Sequence, residues 1–478
     1  MKKSKPSKRP KRVDFISNMP DPILQSILQR LPTTEEIART SVLSIRWRYL
    51  WTSIPSIDLD ISRATAFDKK IFKKFVTRAL ENNTLDLDSF RLSCAGYCSM
   101  STVSRWINAA VTRNVKVLDL SFGPSDEDDV VELPECLIAC DSLESLRLFL
   151  MTRTLILSNV GFSTLKVLEL NLVELIDEDS VKAFFENCLL LEELNLFDCL
   201  LNKLETLCIS SQSLRILRID NRNLDYTEDP PADYDLKSNM IYYDNEGLCN
   251  SLELCCPELV YFQYGGHIAY NFDFENMDSL KVVVIHPEDM SQVDLSFESL
   301  GDTICELFAG ISHVEALSIN LYFVQAISAA HDPEGHFPTS LPNMKTLEIS
   351  TTIDDYTMQA VMRILKCSPN LESLRLIILK EIFWPQCWEL DEVLTHHLTR
   401  VEFIDFNGEE RKLAMARFIL EHANALNVMV FIWRDKVKYD EKSMETMNQV
   451  STFHKASSTV KVFTLLKEQP FEPPYKLK

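Results

Sequence analysis

Apolar residues recur along this chain in a six-residue pattern, with hydrophobic side chains at its first, fourth and sixth positions. Clear copies occupy residues 143–148, 165–170, 191–196 and 214–219. Further copies, some of them weaker, occupy or surround 344–349, 371–376, Phe90, Leu118, Phe262, Val283, Leu317 and Val401. Because alternate side chains of a strand point to opposite sides, each copy predicts a short strand with one buried face.

The spacing of the copies predicts a repeated unit. The central apolar positions 90, 118, 146, 168, 194 and 217 are separated by 28, 28, 22, 26 and 23 residues. One strand cannot bury its apolar face alone, so successive units are expected to stack into a parallel sheet over a continuous core. The intervening residues can form a helix or an irregular return, and 179–186 is one candidate helix. Cys140, Cys188 and Cys256 precede strand leucines and are expected as small core residues.

The spacing of the repeats becomes less regular after position 217. The next central positions, at 262, 283, 317, 347, 374 and 401, follow gaps of 45, 21, 34, 30, 27 and 27 residues. Most of the longest gap is an acidic, proline-containing insert at about 221–258. It is interpreted either as a degenerate repeat with a long surface loop or as a loop near a binding face.

The pattern before the repeats is helical. One apolar stripe contains Ile23, Leu24, Ile27, Leu28 and Leu31. Pro22 is suited to the first turn of that helix, and Pro32 is expected to end it. Thr33 and Glu36 have the spacing of a capping box that begins a second helix. Trp47 lies in a third helical stretch. Three helices in about 40 residues are marginal alone, so their apolar surface needs a neighbour or a partner.

Near the end of the sequence, predicted strands alternate with predicted helices. A strand and turn are predicted at 398–408, a helix at 411–423 and a second strand at 427–433. A further helix around 441–455 and a strand at 460–466 follow. This succession predicts a C-terminal α/β module.

Charge indicates which kinds of partner the protein can bind, and cysteine content indicates the compartment in which it works. The net charge is −21 and residues 2–12 contribute +7, so the remaining residues carry −28. An acidic body argues against nucleic acid as the main partner. Residues 1–12 are expected to be a disordered basic tail, and the basic run 8–12 is either a nuclear address or a solvated tail. The 13 cysteines are spread along the chain, which favours a reducing compartment.

No catalytic or metal-binding constellation is found in the sequence. Glycine-rich phosphate loops, nucleophile elbows and zinc-protease motifs are absent. The cysteine pairs 94/98 and 136/140 lack a matching second pair, and the adjacent pair His396–His397 lacks further ligands at metal spacing. We therefore expect no metal, no cofactor and no enzymatic activity.

Three segments resemble known modules. The string Met-Pro-Asp-x-Ile-Leu at 19–24 and the string Leu-Ser-x-Arg-Trp-Arg-x-Leu-Trp at 43–51 are similar to the two ends of an F-box. Residues 191–201 fit the whole leucine-rich-repeat template. The string Phe-Asn-Gly-Glu-Glu-Arg-Lys-Leu at 406–413, followed by Ala-Arg-Phe-Ile-Leu-Glu-His-Ala, resembles the FBD module. In this order, the three segments resemble a plant F-box, leucine-rich-repeat and FBD protein.

The resemblance implies a fold that contains both helices and strands: it is of the α/β class in its repeats and α+β when the whole chain is considered. A three-helix F-box at 13–57 is followed by an irregular leucine-rich-repeat solenoid with a parallel sheet at 58–384. An FBD-like α/β cap occupies 385–478. The family does not assign the FBD module a biochemical role.

The resemblance also implies a function and two sets of binding residues. The F-box would dock a Skp-family adaptor and, through it, a cullin ubiquitin ligase. The residues expected at the adaptor are Pro20, Ile23, Leu24, Ile27, Leu28, Leu31, Pro32, Val42, Leu43 and Trp47. Some of these must pack the F-box core instead, and the sequence does not separate the two groups.

The repeats would bind the target protein. Strand alternation places the residue between the last two apolar positions of each copy on the face opposite the core. This rule selects the row Arg91, Asp119, Arg147, Glu169, Asn195, Arg218, Gln263, Ser318, Glu348 and Arg375. Its mixed charge suits a protein or peptide better than an apolar small molecule.

Two alternatives stay open at this point. One is a non-ligase interaction scaffold whose F-box does not engage a cullin. The other is a small-molecule co-receptor, which is disfavoured because the repeats lack the clustered lysines and arginines that a polyphosphate ligand would need.

Overall fold

A computed structural model describes most of the chain. The described residues are 16, 19–31, 33–61, 69–81, 85–94, 98–123, 130–222, 251–266, 268–288, 297–329, 340–353, 355–381, 397–433 and 441–466. The basic tail 1–12, Pro32, His396 and most of the acidic insert lie outside these residues. The chain folds into two compact units, Met1–Arg153 and Thr154–Lys478.

The first unit begins with a small group of helices. They are α1 (Asp21–Leu28), α2 (Thr34–Arg39) and α3 (Trp47–Leu50). Two 3-10 turns, Thr40–Val42 and Trp51–Ser53, lie beside α3. The Thr33 side chain accepts a hydrogen bond from the Glu36 amide at 3.2 Å, so the predicted cap of α2 is present. The third helix is only four residues long, and α1 ends before Leu31.

The rest of the first unit contains the first repeats. Its elements are β1 (Ser56–Asp60), α4 (Lys69–Glu81), β2 (Ser89–Ser93), α5 (Met100–Val111), β3 (Val117–Ser121), β4 (Val130–Glu132), α6 (Glu135–Ile138) and β5 (Ser145–Ile156). Strands β1, β2, β3 and β5 are neighbours in chain order, with parallel pairing, and β4 pairs with β5. Phe90, Leu118 and Leu146 share one register and are fully buried.

The second unit contains the longer series of repeats. Its first elements are β6 (Val167–Glu174), α7 (Glu178–Asn187), β7 (Glu193–Phe197), β8 (Thr206–Ser210), β9 (Ile216–Asp220), β10 (Ser251–Cys255), β11 (Tyr261–Gly266), β12 (Asn271–Glu275), β13 (Val282–Pro287), α8 (Phe297–Gly310), β14 (Ala316–Ile319) and α9 (Leu321–Ala329). They are followed by β15 (Thr346–Ile353), α10 (Asp355–Cys367), β16 (Ser373–Glu381), β17 (Arg400–Phe406), α11 (Glu410–His422), β18 (Val428–Trp433), α12 (Glu441–Ser451) and β19 (Lys461–Leu466).

The main sheet of this unit is parallel and almost sequential. Its order is β6-β7-β9-β11-β13-β14-β15-β16-β17-β18-β19. Every predicted copy of the apolar pattern is a strand of this sheet or of its counterpart in the first unit. Helix α7 matches the predicted helix at 179–186 within one residue at each end.

A second, three-stranded parallel sheet was not predicted. Its order is β12-β10-β8, and it occupies segments where the sequence suggested a helix or an irregular return. In β8 and β10 the alternate residues Leu207, Ile209, Leu252 and Leu254 are buried. This alternation with a period of two favours a strand, because it leaves one polar and one apolar side.

The FBD-like segment forms the last repeats of the same sheet. Leu374 of β16 is in register with Val401 of β17, which is in register with Met429 of β18. Strand β19 then pairs in parallel with β18. The predicted strands and helices of this module are therefore confirmed, and the module extends the solenoid core by three strands.

The cysteines expected in the core are buried. Cys140, Cys188 and Cys256 are 6%, 1% and 0% exposed. Burial raises the pKa of the Cys188 thiol to about 11 and that of Cys256 to about 12. Both thiols stay protonated near neutral pH and act as small apolar residues.

Replacing Gly161 tests how tightly neighbouring repeats pack. A Cβ atom there would lie 2.6 Å from the Asn187 carbonyl oxygen and 2.7 Å from the Cys188 amide nitrogen. Gly161→Ala should therefore lower the free energy of unfolding by about 1–3 kcal/mol in urea titrations. Gly310→Ala is the matched control, because its nearest neighbour would be Phe274 at 3.6 Å. If Gly161→Ala and Gly310→Ala were equally stable, the close contact of Gly161 with Asn187 and Cys188 would be contradicted.

Candidate interaction surfaces

The N-terminal helices form a small core of their own. We call residues 19–54 the helical head. Leu24 and Leu28 lie one turn apart on α1 and are fully buried. The complete set of buried apolar residues is Leu24, Leu28, Ile37, Trp47, Leu50 and Ile54, with Met19, Leu31 and Trp51 packed against it. These residues pack the three short helices against one another.

The head also exposes a second set of large apolar residues. On α1, Ile23 and Ile27 are 49% and 44% exposed. Between α2 and the end of α3, four further residues are exposed: Val42, Leu43, Ile45 and Tyr49. Val42 is the most open of all, at 86%. A contiguous stretch with this many exposed aliphatic side chains is typical of a protein-binding surface.

Arg46 connects these two exposed regions. Its guanidinium donates a hydrogen bond to the Met19 carbonyl oxygen at 2.6 Å and forms an ion pair with Asp21. Asp21 is the first residue of α1, and Arg46 directly precedes α3. The interaction therefore holds the segment that carries Val42 and Leu43 beside the start of α1.

The structure separates the residues predicted to contact the adaptor. Pro20, Ile23, Ile27, Val42 and Leu43 are exposed, so adaptor contact by these five stays a prediction. Leu24, Leu28 and Trp47 form the core, so they belong to the group expected to pack the head rather than to contact the adaptor, and Leu31 is half-buried against that core. Pro32 lies outside the described residues.

Sequence reasoning missed Ile45 and Tyr49, which are 77% and 65% exposed. They lie in the string at 43–51 that carried the resemblance. Their spacing of four residues, which places both side chains on one side of a helical stretch, was the available signal.

Within each unit, the residues predicted to contact the target share one register. In the first unit, Arg91 is paired with Asp119, and Asp119 with Arg147. In the second unit, the aligned members are Glu169, Asn195, Arg218, Gln263, Ser318, Glu348 and Arg375. The same register adds residues that the prediction did not include, namely Asp58, Val284, Glu402, Val430 and Phe463. We call these aligned positions the row, and the sheet face that carries them the row face.

Charges in the row of the first unit alternate. Arg91 lies 3.6 Å from Asp58 and 3.3 Å from Asp119, measured between charged atoms. Burial raises the pKa of Asp119, and the charges of Arg91 and Arg147 oppose that effect. The result is an acid–arginine–acid triad whose central arginine is still half exposed.

The second unit repeats this arrangement in a more buried form. Arg375 lies 3.0 Å from Glu348 and 2.9 Å from Glu402. The three side chains are only 11%, 11% and 10% exposed. Burial raises the pKa of Glu348, while Arg375 and a hydrogen bond from Ser318 oppose it. The geometry stabilises two buried carboxylates around one guanidinium.

A second polar cluster lies on strands β7 to β13. Arg218 donates to Glu193 at 2.6 Å and lies 5.1 Å above the Tyr261 ring. Asp220 accepts hydrogen bonds from Gln263 at 2.8 Å and from Arg222. Burial alone would raise the pKa of Asp220, but the hydrogen bonds and charge of Arg222 hold it below its ordinary value.

His286 joins the two clusters. One ring nitrogen lies 3.2 Å from Arg222 and the other 3.0 Å from the Ser318 hydroxyl, which reaches Glu348. Burial, and then the charge of Arg222, lower the pKa of His286 to about 4. The imidazole is therefore neutral at pH 7. A continuous polar network results, and it runs across the row face from Glu193 to Arg400.

This network decides which row residues can meet a target. Asn195, Ser318 and Glu348 are at least nine-tenths buried, so their assignment as target contacts is corrected to that of supporting residues. Arg91 and Arg147 are exposed. Asp119, Glu169, Arg218, Gln263 and Arg375 are partly exposed. Contact of these seven with a target stays a prediction.

Other kinds of site find little support in the described part of the chain. There, no three histidine, cysteine or carboxylate side chains lie close enough together to hold a metal ion. The described helices include none with the length and apolarity of a membrane span. A groove of about 620 Å³ lies at the amino-terminal ends of strands β13 to β17. Its lysines and glutamates pair with one another, as Lys345 does with Glu315 at 3.2 Å.

Removing the central arginine of the buried triad tests its electrostatic role. Arg375→Met leaves Glu348 and Glu402 without their shared cation, and we expect about 3–5 kcal/mol lower stability at pH 8 in urea unfolding. Because burial already raises the pKa of Glu348, its charged form is disfavoured in the folded state. The loss should therefore shrink as the pH falls toward the ordinary glutamate range. Arg400→Met, which removes a more exposed arginine, is the control. A loss independent of pH would contradict this interpretation.

Comparisons with known proteins agree with this architecture. Three family models match: the F-box domain over residues 16–58, the LRR repeats of FBD-associated F-box protein At5g56370 over 103–229, and FBD over 392–431.

Similar full-length proteins come from Arabidopsis thaliana. F-box/FBD/LRR-repeat protein At1g78750 is 24% identical over 96% of this chain and 98% of its own length. F-box/FBD/LRR-repeat protein At4g26340 is 27% identical over 88% and 92%. FBD-associated F-box protein At1g66310 is 34% identical over 42% and 45%. With its helical head, its parallel repeats and its C-terminal strands in the same order as these modules, the chain is similar along most of its length to plant F-box/FBD/LRR-repeat proteins.

Proposed function

We propose that this protein is the substrate-recognition subunit of an SCF-type E3 ubiquitin ligase. The helical head docks a Skp-family adaptor, which brings the cullin and its ubiquitin-conjugating enzyme. The row face holds a target protein. The chain performs no bond chemistry itself, and its contribution is to keep a target lysine near the ubiquitin thioester.

The observation that carries this proposal is the exposed apolar surface of the head. Six buried residues, Trp47 among them, already form the core of the head. The exposed residues Ile23, Ile27, Val42 and Leu43 are therefore not needed to hold the head together. Burying apolar surface in a complex contributes about 25 cal/mol per Å². Exposed Tyr49 adds an aromatic side chain of the kind enriched at binding hot spots.

The row face supports the second half of the proposal. Its exposed arginines are held by neighbouring carboxylates rather than free to move, which gives a target a pre-ordered polar surface. The mixed charge of the row suits a folded protein or a peptide. A nuclear or cytoplasmic location, which the basic run at 8–12 and the dispersed cysteines suggest, would fit this role.

The head can be tested by separating its surface from its core. Ile23→Asp with Ile27→Asp should abolish co-purification with a Skp-family adaptor, because two charges enter an apolar interface while Leu24 and Leu28 stay in place. Val42→Asp with Leu43→Asp should have the same effect. Leu189→Asp is the control, since this leucine is 72% exposed but lies in a repeat.

Circular dichroism and urea unfolding establish that each variant is folded. Leu24→Asp or Leu28→Asp would instead disrupt the core and lose binding for an unrelated reason. Adaptor binding that survives both surface variants would refute docking through this face. A wild-type chain that is folded yet binds no adaptor would favour the scaffold alternative.

Charge reversal in the row tests target capture. Arg147→Glu with Arg218→Glu should reduce the targets recovered by cross-linking several-fold, because both side chains lie on the row face. Lys116→Glu with Lys345→Glu makes the same change in net charge at exposed positions outside the row. Adaptor binding should persist in both double variants. Equal target recovery from the two would count against the row face.

A further inference from the structure

Within the described residues, the last strand of the second unit's sheet has one unpaired edge. Among the described residues, β19 pairs only with β18. Its backbone amide and carbonyl groups on the other side therefore lack a neighbouring strand within that part of the chain. Such an edge is a template on which an extended segment can add a further strand.

The side chains of this strand are unusual for an exposed edge. Phe463 and Leu465 point to the row face and are 46% and 51% exposed. Phe463 is in register with Val430, and Leu465 with Ile432. Beyond Glu402, the row thus continues into apolar residues, Val430 and Phe463. Exposed edges are normally protected by charge or proline, so an apolar one points to a partner.

A positive charge lies at the beginning of the same strand. Lys461 shares the row face with Phe463 and is exposed. No described carboxylate lies within ion-pair distance of its ammonium group, although the chain as a whole carries a net charge of −21. A partner strand on this edge would therefore place an acidic side chain beside Lys461 and apolar side chains beside Phe463 and Leu465.

The sequence that follows β19 is a poor match for such a strand. The segment 467–478 contains Pro470, Pro473 and Pro474, and proline cannot donate a ladder hydrogen bond.

A second copy of the chain is also a poor match. Antiparallel pairing about Phe463 would place Lys461 opposite Leu465, and pairing about Thr464 would place it opposite Lys467. Neither arrangement supplies an acid.

We propose that the open edge of β19 binds an extended segment of the target protein as an additional parallel strand. The segment carries an acidic residue beside Lys461 and apolar residues two and four positions later, beside Phe463 and Leu465. Main-chain hydrogen bonds supply affinity, and the alternate side chains supply specificity. This inference rests on the proposed function, since it names what the target presents, and it assigns the FBD-like module a direct part in recognition.

Defined peptides test this inference on the full-length protein. The probe is a fluorescent nine-residue peptide of serine and threonine with glutamate at its third position and isoleucine at its fifth and seventh. Three matched peptides carry lysine for glutamate, the reversed order, or methylated backbone nitrogens at alternate positions. Fluorescence polarisation should show saturable binding of the probe. The lysine and the methylated peptides should bind at least tenfold more weakly.

Variants of β19 locate the binding site. Phe463→Ser should weaken probe binding at least tenfold, whereas Leu189→Ser, which changes an exposed leucine elsewhere, should not change it. Lys461→Glu should weaken the glutamate probe and strengthen the lysine peptide, a reversal that loss of folding cannot produce. Equal binding of the methylated peptide, or no effect of either β19 variant, would overturn the proposal. Preference for the reversed peptide would refute the parallel orientation.

Two further measurements separate the remaining outcomes. Sedimentation of the chain alone should show no dimer, and a dimer that Phe463→Ser dissolves would mean that a second copy occupies the edge, against the proposal. Adaptor co-purification is measured on the same samples. Failure of peptide binding with adaptor binding intact would reject the edge site and leave the ligase role standing. Failure of adaptor binding would reject the ligase role itself.

Discussion

The structure depends on the fact that one short strand cannot bury its apolar face alone. Leu194, Leu217 and Phe262 occupy one register on neighbouring strands and are fully buried, as are Leu347 and Leu374 further along the sheet. Each repeat therefore depends on the next for its core. Since parallel pairing moves in whole residues, a slip by one residue would turn every such side chain out of the core. The buried register consequently determines what the opposite face displays.

That opposite face has to accommodate charges at a spacing set by the sheet. Neighbouring strands lie about 4.8 Å apart, close enough for side chains at equal register to pair. Both units meet this constraint in the same way, with Asp58–Arg91–Asp119 in one and Glu348–Arg375–Glu402 in the other. Pairing carboxylates with arginine offsets the cost of removing them from water. It also orders the row face, because the guanidinium groups of Arg91 and Arg375 are each held by carboxylates from two sides.

The helical head follows a different principle. It is too small to bury all of its apolar residues, and it divides them between a core around Trp47 and an exposed set that includes Val42 and Ile45. The repeats end in a related way, with Phe463 and Leu465 open at the last strand. These two apolar surfaces are left exposed by the described part of the chain. In the proposed ligase complex, partners cover these surfaces.

The sequence by itself determined the order and type of most elements. Periodicity predicted the parallel repeats, helix α7 and the strands and helices of the C-terminal module, because stacked strands and amphipathic helices leave a local pattern. Strand alternation also placed Arg91, Asp119 and Arg147 in one register, and Glu169 through Arg375 in one register of the other unit. The tertiary structure decided the rest. It separated Leu24 and Leu28 from Ile23 and Ile27, since adjacent residues of one stripe differ only in what packs against them. It turned β8, β10 and β12 into a second sheet and buried Glu348 around Arg375, because pairing between residues distant in sequence depends on neighbours that no local pattern contains.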